Sequence, residues 1–279
     1  MRRLRVGIVA PGSRLEPSTA QRVTALAAER HPEVELTFHP QCHMSWGHFA
    51  GSDAARIAAF LDIANDASFD AVWFGRGGYG ACRVAEAALP KLDEAARRKT
   101  YLGYSDAGVL LAGLYAQGFQ GVAHGPMPAD ITRDRGDEAV ARALAYLSHR
   151  AADTLEPSVA PSGKAVAFNM MTFSQLIGTP LQPDLTDHVL MLEEVSEYMY
   201  RIDRTLFHIT SNPAIRGVAG IRLGRCSAIP PNDPDFGQTE VEIVQHWSRV
   251  SGIPYFGRAD IGHDAANKIV PFGEPTPTA

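Results

Sequence analysis

Thr100-Tyr101-Leu102-Gly103-Tyr104-Ser105-Asp106, followed at once by Ala107-Gly108-Val109-Leu110-Leu111-Ala112-Gly113-Leu114-Tyr115, is the stretch that decides the fold. Its first part reads as a short buried strand and its second as an apolar helix, with Ser105 at the turn between them. A serine at a sharp strand-to-helix turn is held out at the C-terminal edge of a sheet. The N–H groups of the following helix then point toward whatever its hydroxyl attacks. That geometry suits a nucleophile. The pattern departs from the full G-x-S-x-G elbow, because position 107 is Ala and the glycine comes one later, at 108. Ser105-Asp106 at a helix start also reads as an ordinary N-cap.

Outward from this turn the strand–helix rhythm continues. Strands are expected at 4–10, 34–38, 70–74, 101–104 and 120–123, and helices at 17–30, 54–67, 82–92, 107–117 and 138–150. Short buried strands alternating with helices make a parallel sheet covered on both faces, an α/β fold. Leu155-Glu156-Pro157-Ser158-Val159-Ala160-Pro161-Ser162-Gly163 breaks the rhythm with Pro, Ser and Gly. A second, smaller α/β region follows. It has a strand and helix around 166–176, strands at 188–195, 220–226 and 255–262, and helices at 202–210 and 240–250. The expected boundaries are 1–152 for the first domain, 153–164 for a linker and 165–279 for the second. The tail 274–279 is expected to be frayed.

Composition narrows the function. With 279 residues, 45% hydrophobic and 20% charged, the chain has ample material for a sizeable core. Its 26 Lys and Arg against 31 Asp and Glu leave a net charge of −5 with no block of like charges, no footprint for nucleic acid. No apolar run approaches the ~20 residues that span a bilayer, so no membrane partner is expected. Met1-Arg2-Arg3-Leu4-Arg5 mimics the basic start of a signal peptide, but the apolar run Val6 to Ala10 is too short for one, and a cytoplasmic location is expected. Cys42, Cys82 and Cys226 are odd in number and far apart, which indicates neither a disulfide framework nor a zinc site.

Three further constellations carry chemistry. Gly75-Arg76-Gly77-Gly78-Tyr79-Gly80 lies between a strand and a helix and mimics a dinucleotide fingerprint, yet it follows the third strand rather than the first. In a doubly wound sheet the loops after strands gather at one edge, so this loop and Ser105 can be neighbours and its N–H groups can serve an oxyanion. Glu193-Glu194 ends the apolar run Leu190-Met191-Leu192, and successive strand side chains point to opposite faces. Only one of the two can reach a given base. Ile261-Gly262-His263-Asp264 offers that base, with His124 in Ala123-His124-Gly125-Pro126 as its competitor.

These residues resemble a known family, the LD-carboxypeptidases, serine peptidases that include the microcin-immunity peptidases. Val6-Gly7-Ile8-Val9-Ala10-Pro11-Gly12-Ser13 is similar to the family's opening strand and A-P-x-S turn. Phe74 to Gly80 with Arg83 resembles its glycine-rich loop, Gly103-Tyr104-Ser105-Asp106 its nucleophile turn, and His124-Gly125-Pro126-Met127 its H-G-P strand end. Asn169 with Gly178-Thr179-Pro180, Leu192-Glu193-Glu194-Val195 with Tyr200-Arg201-Ile202-Asp203-Arg204, and Gly262-His263 with Asn267, Pro271 and Gly273 complete the series.

The resemblance implies a flavodoxin-like N-terminal domain, a smaller C-terminal β/α domain, and a site in the cleft between them. It implies Ser105 as nucleophile, Glu193 as the acid and His263 as the base, with Glu194 one residue away as the alternative acid. The oxyanion donors would be the N–H of Asp106 and one from Gly77-Gly78. Arg76 and Tyr79 are the expected substrate contacts, with Arg83 a second cation for an anionic terminus. Phe168, where the family has glycine, is expected to narrow the cleft. No cofactor and no metal is implied. The implied substrate is a small peptide, the murein tetrapeptide, cut before its terminal D-Ala in cytoplasmic peptidoglycan recycling; relatives of this kind are often homodimers. The alternatives are a microcin-type peptidase or amidase on another small peptide-like conjugate, and a non-catalytic dinucleotide-binding module built on the 75–80 loop.

Overall fold

The computed structural model describes residues 2–159 and 163–273; the tail expected to fray at 274–279, and positions 160–162 of the expected linker, lie outside them. The chain begins β1 (Leu4–Val9), α1 (Pro17–Arg30), β2 (Val34–Phe38), α2 (Asp53–Ala64), β3 (Ala71–Phe74), α3 (Cys82–Ala88) and α4 (Glu94–Arg97). It continues through β4 (Thr100–Gly103), α5 (Gly108–Ala116), β5 (Val122–His124) and α6 (Gly136–His149). Then come β6 (Lys164–Asn169), α7 (Met170–Leu176), β7 (His188–Val195), α8 (Met199–Ser211), β8 (Gly220–Ser227), α9 (Glu240–Ser251), β9 (Tyr255–Arg258) and β10 (Val270–Pro271).

The first sheet has the order β10-β5-β4-β3-β1-β2 and is parallel except for β10. Its order β2-β1-β3-β4-β5 is flavodoxin-like, and such sheets gather their functional loops beyond the C-terminal strand ends. The second sheet, β6-β7-β8-β9, is parallel throughout. Every residue of β3 and β4 is buried, as a strand covered on both faces requires. Helix α5 is buried from Gly108 to Leu114 and packs on β4 and β5 as well as on α7. A helix covered on opposite sides is apolar all round, which explains the unbroken run that follows Ser105.

One core cluster runs through both sheets, joining Tyr101, Leu110 and Leu114 to Phe168, Phe173, Leu190 and Phe272. Strand β10 fastens the two together: Val270 pairs with His124 in the first sheet, and Gly273 bridges Ala165 in the second. The strand expected at 255–262 ends at Arg258, and the chain then turns back toward the first sheet through 259–269. That loop is anchored at its start, where Asp260 N–H donates to the buried Glu156 carboxylate at 3.1 Å. The helix expected at 82–92 stops at Ala88, and a 3-10 turn at Leu89–Lys91 accommodates Pro90, which has no N–H to continue the helix.

Candidate active site

Beyond β4 the backbone turns sharply at Ser105, which has φ 57°, a left-handed conformation that costs a non-glycine residue about 1–3 kcal/mol. The Ser105 hydroxyl does not cap the helix it precedes. Instead it lies 3.0 Å from His263 Nε2, and His263 Nδ1 lies 2.6 Å from Glu193 Oε2. A carboxylate only accepts, so Nδ1 carries the proton and Nε2 presents its lone pair to the serine. The Glu193 side chain is fully buried and that of His263 only 7% exposed, so the pair is shielded from water. Burial works against a charged imidazole, but the charge and hydrogen bond of Glu193 outweigh it and hold the His263 pKa above its ordinary value.

The two adjacent glutamates part as strand alternation demands. Glu193 turns to His263, while Glu194 accepts from Asn169 Nδ2 at 2.7 Å, Met171 N–H at 2.9 Å and Val195 N–H at 2.9 Å. Glu194 therefore ties β7 to the start of α7, where Asn169 caps the helix through Thr172 N–H. Burial raises the Glu194 pKa against these hydrogen bonds. The β7–β8 register slips between Leu192 and Glu194, and opposite this irregularity a side chain on Gly224 would lie 2.8 Å from Glu193 Cβ. A local bulge with a bare glycine beside it gives Glu193 and the 261–263 segment room to meet.

The glycine loop lies against Ser105. A Cβ on Gly77 would stand 3.0 Å from both Cβ and Oγ of Ser105, and one on Gly12 would stand 2.0 Å from Gly78 O. The loop after β1 thus packs on the loop after β3, with Ser13 N–H donating to Gly77 O at 3.3 Å. Asp106 pins the same loop from the other side, its Oδ2 accepting from Ala81 N–H at 2.7 Å. Burial pushes the Asp106 pKa up to about 6, against the backbone N–H groups of Ala81 and Gly80. The N–H groups of Gly77, Gly78 and Asp106 donate to no acceptor among the described residues.

Ser105 borders two cavities. The first, of about 550 Å³, is also lined by Arg76, Gly77, Tyr104, Arg133 and His263. The second, of about 340 Å³, is also lined by Tyr79, Asp106, Asn169, Glu194 and Glu197. Arg76 is exposed and donates to Arg14 O at 3.1 Å. Tyr79 is 56% exposed and packs with Phe49 and His48. Arg83 is drawn away to Asp53, which it grips at 2.8–3.2 Å, and it borders neither cavity. His124 is buried and bonded to Asn267 Oδ1 at 3.1 Å, not to Ser105, and burial pulls its pKa down to about 4. Phe168 does not narrow the cleft: it is a core residue, packed on Phe173 and Phe272 with ring centroids 5.0 Å apart in each case.

Sequence reasoning missed the support behind His263. Tyr104 sets its ring 4.8 Å from the imidazole and donates its hydroxyl to Asp130 at 2.7 Å; Arg133 pairs with the same Asp130 oxygen at 2.8 Å and donates to the His263 carbonyl at 2.7 Å. The clue was available. Pro128-Ala129-Asp130-Ile131-Thr132-Arg133 follows the end of β5, on the same sheet edge as Ser105, and places Asp130 and Arg133 one helical turn apart. Among the described residues no group of three or more His, Cys, Asp or Glu is placed to hold a metal ion, and no helix is long and apolar enough to cross a membrane.

Comparison with known proteins gives a consistent result. Residues 6–125 match the LD-carboxypeptidase N-terminal domain, and residues 162–276 match the LD-carboxypeptidase C-terminal domain. A protein of Synechocystis sp., provisionally named a carboxypeptidase, is 31% identical over 86% of this chain and 79% of its own length. The murein tetrapeptide carboxypeptidase of Pseudomonas aeruginosa is 25% identical over 97% of this chain and 91% of its own. Among solved structures, muramoyltetrapeptide carboxypeptidase from Oxalobacter formigenes has a TM-score of 0.81 at 24% identity, covering 96% of this chain and 92% of that one. The microcin C7 self immunity protein MccF, solved in complex with aspartyl sulfamoyl adenosine, has a TM-score of 0.79 at 15% identity, covering 98% and 92%.

Proposed function

The chain belongs to the LD-carboxypeptidase family, and from that premise we propose that it is a serine carboxypeptidase hydrolysing the L,D peptide bond before the C-terminal D-Ala of murein tetrapeptides. The observation that carries this reading is the hydrogen-bonded chain from Ser105 through His263 to Glu193. His263 Nε2 takes the Ser105 proton as Oγ attacks the carbonyl carbon, and Glu193 holds the imidazole tautomer and offsets its transient charge. N–H groups of Asp106 and of Gly77-Gly78 bind the developing oxyanion, each donor contributing about 3 kcal/mol in sites of this kind. His263 then gives its proton to the leaving amine as the C–N bond breaks. Water, deprotonated by His263, hydrolyses the resulting ester and frees Ser105. Arg76 and Tyr79, on the walls of the two cavities, contact the substrate. The reaction would serve cytoplasmic recycling of wall peptides.

Release of D-Ala from purified disaccharide-tetrapeptide, with pentapeptide as the control, tests the reading. We expect release from the tetrapeptide and its loss in Ser105→Ala; activity that survives Ser105→Ala would rule out the serine mechanism. One observation favours a second reading, an amidase on another small peptide-like conjugate. The exposed Tyr79 lines the second cavity and packs with Phe49, whose ring stacks on Trp46, so an aromatic rim borders the site. Faster cleavage of an aminoacyl sulfamoyl nucleotide than of tetrapeptide would favour it.

A further inference from the structure

We propose that Arg133 recognises the free carboxylate of the leaving amino acid and so restricts cleavage to the C-terminal bond; the inference rests on the serine-peptidase reading above. The two cavities that meet at Ser105 differ in charge and in access to the base. The first is bordered by His263 and by the cations Arg76 and Arg133. The second carries Asp106, Glu194 and Glu197, and no lysine, arginine or histidine lines it among the described residues. A leaving amine receives its proton from His263 Nε2, so the leaving group occupies the cavity that His263 borders. The carboxylate carbon of the leaving amino acid sits two bonds from its amine nitrogen, so the carboxylate enters the cavity that carries the arginines as well. Charge and proton transfer independently select the same side.

Within that cavity Arg133 is the cation tied to the base. Its Nε donates to Asp130 Oδ1 at 2.8 Å and its Nη1 to the His263 carbonyl at 2.7 Å, while Nη2 stands a long 3.5 Å from the Tyr104 hydroxyl. Asp130 is itself fixed by Tyr104 OH at 2.7 Å and Met127 N–H at 2.8 Å. A guanidinium has five N–H donors in a planar fork, and at least two here are unspent. The side chain is 41% exposed, open to a ligand. Glu16, another acid on that wall, is occupied by Arg14 at 2.9 Å. A carboxylate bound to this fork would lie beside the residue that protonates its own amine. An internal peptide bond or a C-terminal amide offers no such charge.

The test compares kcat/KM for a murein tetrapeptide and for the same peptide with a C-terminal amide. Wild type should prefer the free acid by roughly tenfold or more, and Arg133→Gln should shrink that preference by roughly tenfold to a hundredfold, the range of a charge-assisted hydrogen bond. Arg133→Lys should restore part of it. If Arg133 only braced His263, both peptides would slow together and the ratio would stand. Equal rates in wild type, an unchanged ratio in Arg133→Gln, or a ratio lost only in Arg76→Gln would each overturn the assignment. If Arg133→Gln does not fold, the wild-type ratio and Arg133→Lys decide the matter. A wild type inactive on both peptides would defeat the peptidase reading and this inference with it; an active wild type with an unmoved ratio defeats the inference alone.

Discussion

At the scale of the residue, His263, the proposed base, should set the pH response. Its pKa is held above the ordinary value of about 6.5 because Glu193 outweighs the burial that opposes a charged ring. Only neutral imidazole can take the Ser105 proton, so kcat/KM should rise with pH through an inflection above 6.5. In Glu193→Gln the supporting charge is gone while the burial stays, so the inflection should move down in pH. The rate should fall by about 10⁴-fold, as when the acid of a comparable triad is neutralised. A pH–rate profile of both proteins checks this; an inflection that stays in place in Glu193→Gln would contradict the account. Ser105 was legible in the sequence because it stands at a strand-to-helix turn, whereas His263 and His124 both stand beside glycine at the end of an apolar run and only the family resemblance favoured His263. The choice between Glu193 and Glu194 was not legible, since alternation says that the two diverge but only the sheet register says which one turns inward. Phe168 misled for the same reason, because a residue's face is a tertiary fact.

Elements hold these residues through contacts between loops. The turn after β4, the glycine loop after β3 and the turn after β1 pack on one another with no room for a side chain at Gly12 and a tight fit at Gly77. Asp106 locks the glycine loop to the nucleophile turn through Ala81 N–H. Asp106→Ala leaves that part-buried N–H unpaired, which should cost about 1–3 kcal/mol and loosen the proposed oxyanion donors. The expected result is a lower Tm together with a kcat loss larger than any change in KM; an unchanged kcat would contradict the locking role. Strand positions were readable because β3 and β4 are short, largely apolar runs that follow charged residues and run into a glycine, at Gly75 and Gly103. The strand end at Arg258 was harder, since it depends on what the chain packs against next, whereas the 3-10 turn at Leu89–Lys91 had a local signal in Pro90. The Asp130–Arg133 support was missed because no residue of that loop resembles a catalytic group by itself.

On the scale of the whole molecule, neither sheet holds the candidate site alone. Ser105 comes from the first sheet, Glu193 from the second, and His263 from the loop that leaves β9 and returns through β10 to the first. The alternation of strands and helices announced both sheets, but nothing in Val270-Pro271-Phe272 announced that β10 would cross back, because a two-residue strand has no period to read. The continuous core through Phe168 and Phe272 makes this assembly rigid enough to hold a 3.0 Å hydrogen bond between distant parts of the chain. In the proposed mechanism this assembly activates Ser105. Labelling with a fluorophosphonate, mapped to its residue by mass spectrometry, tests it most directly. A single adduct on Ser105 is expected in the wild type, its formation slowed by at least about 10³-fold in His263→Ala and little changed in His124→Ala. No adduct on Ser105, or labelling that survives His263→Ala and is lost in His124→Ala, would contradict it.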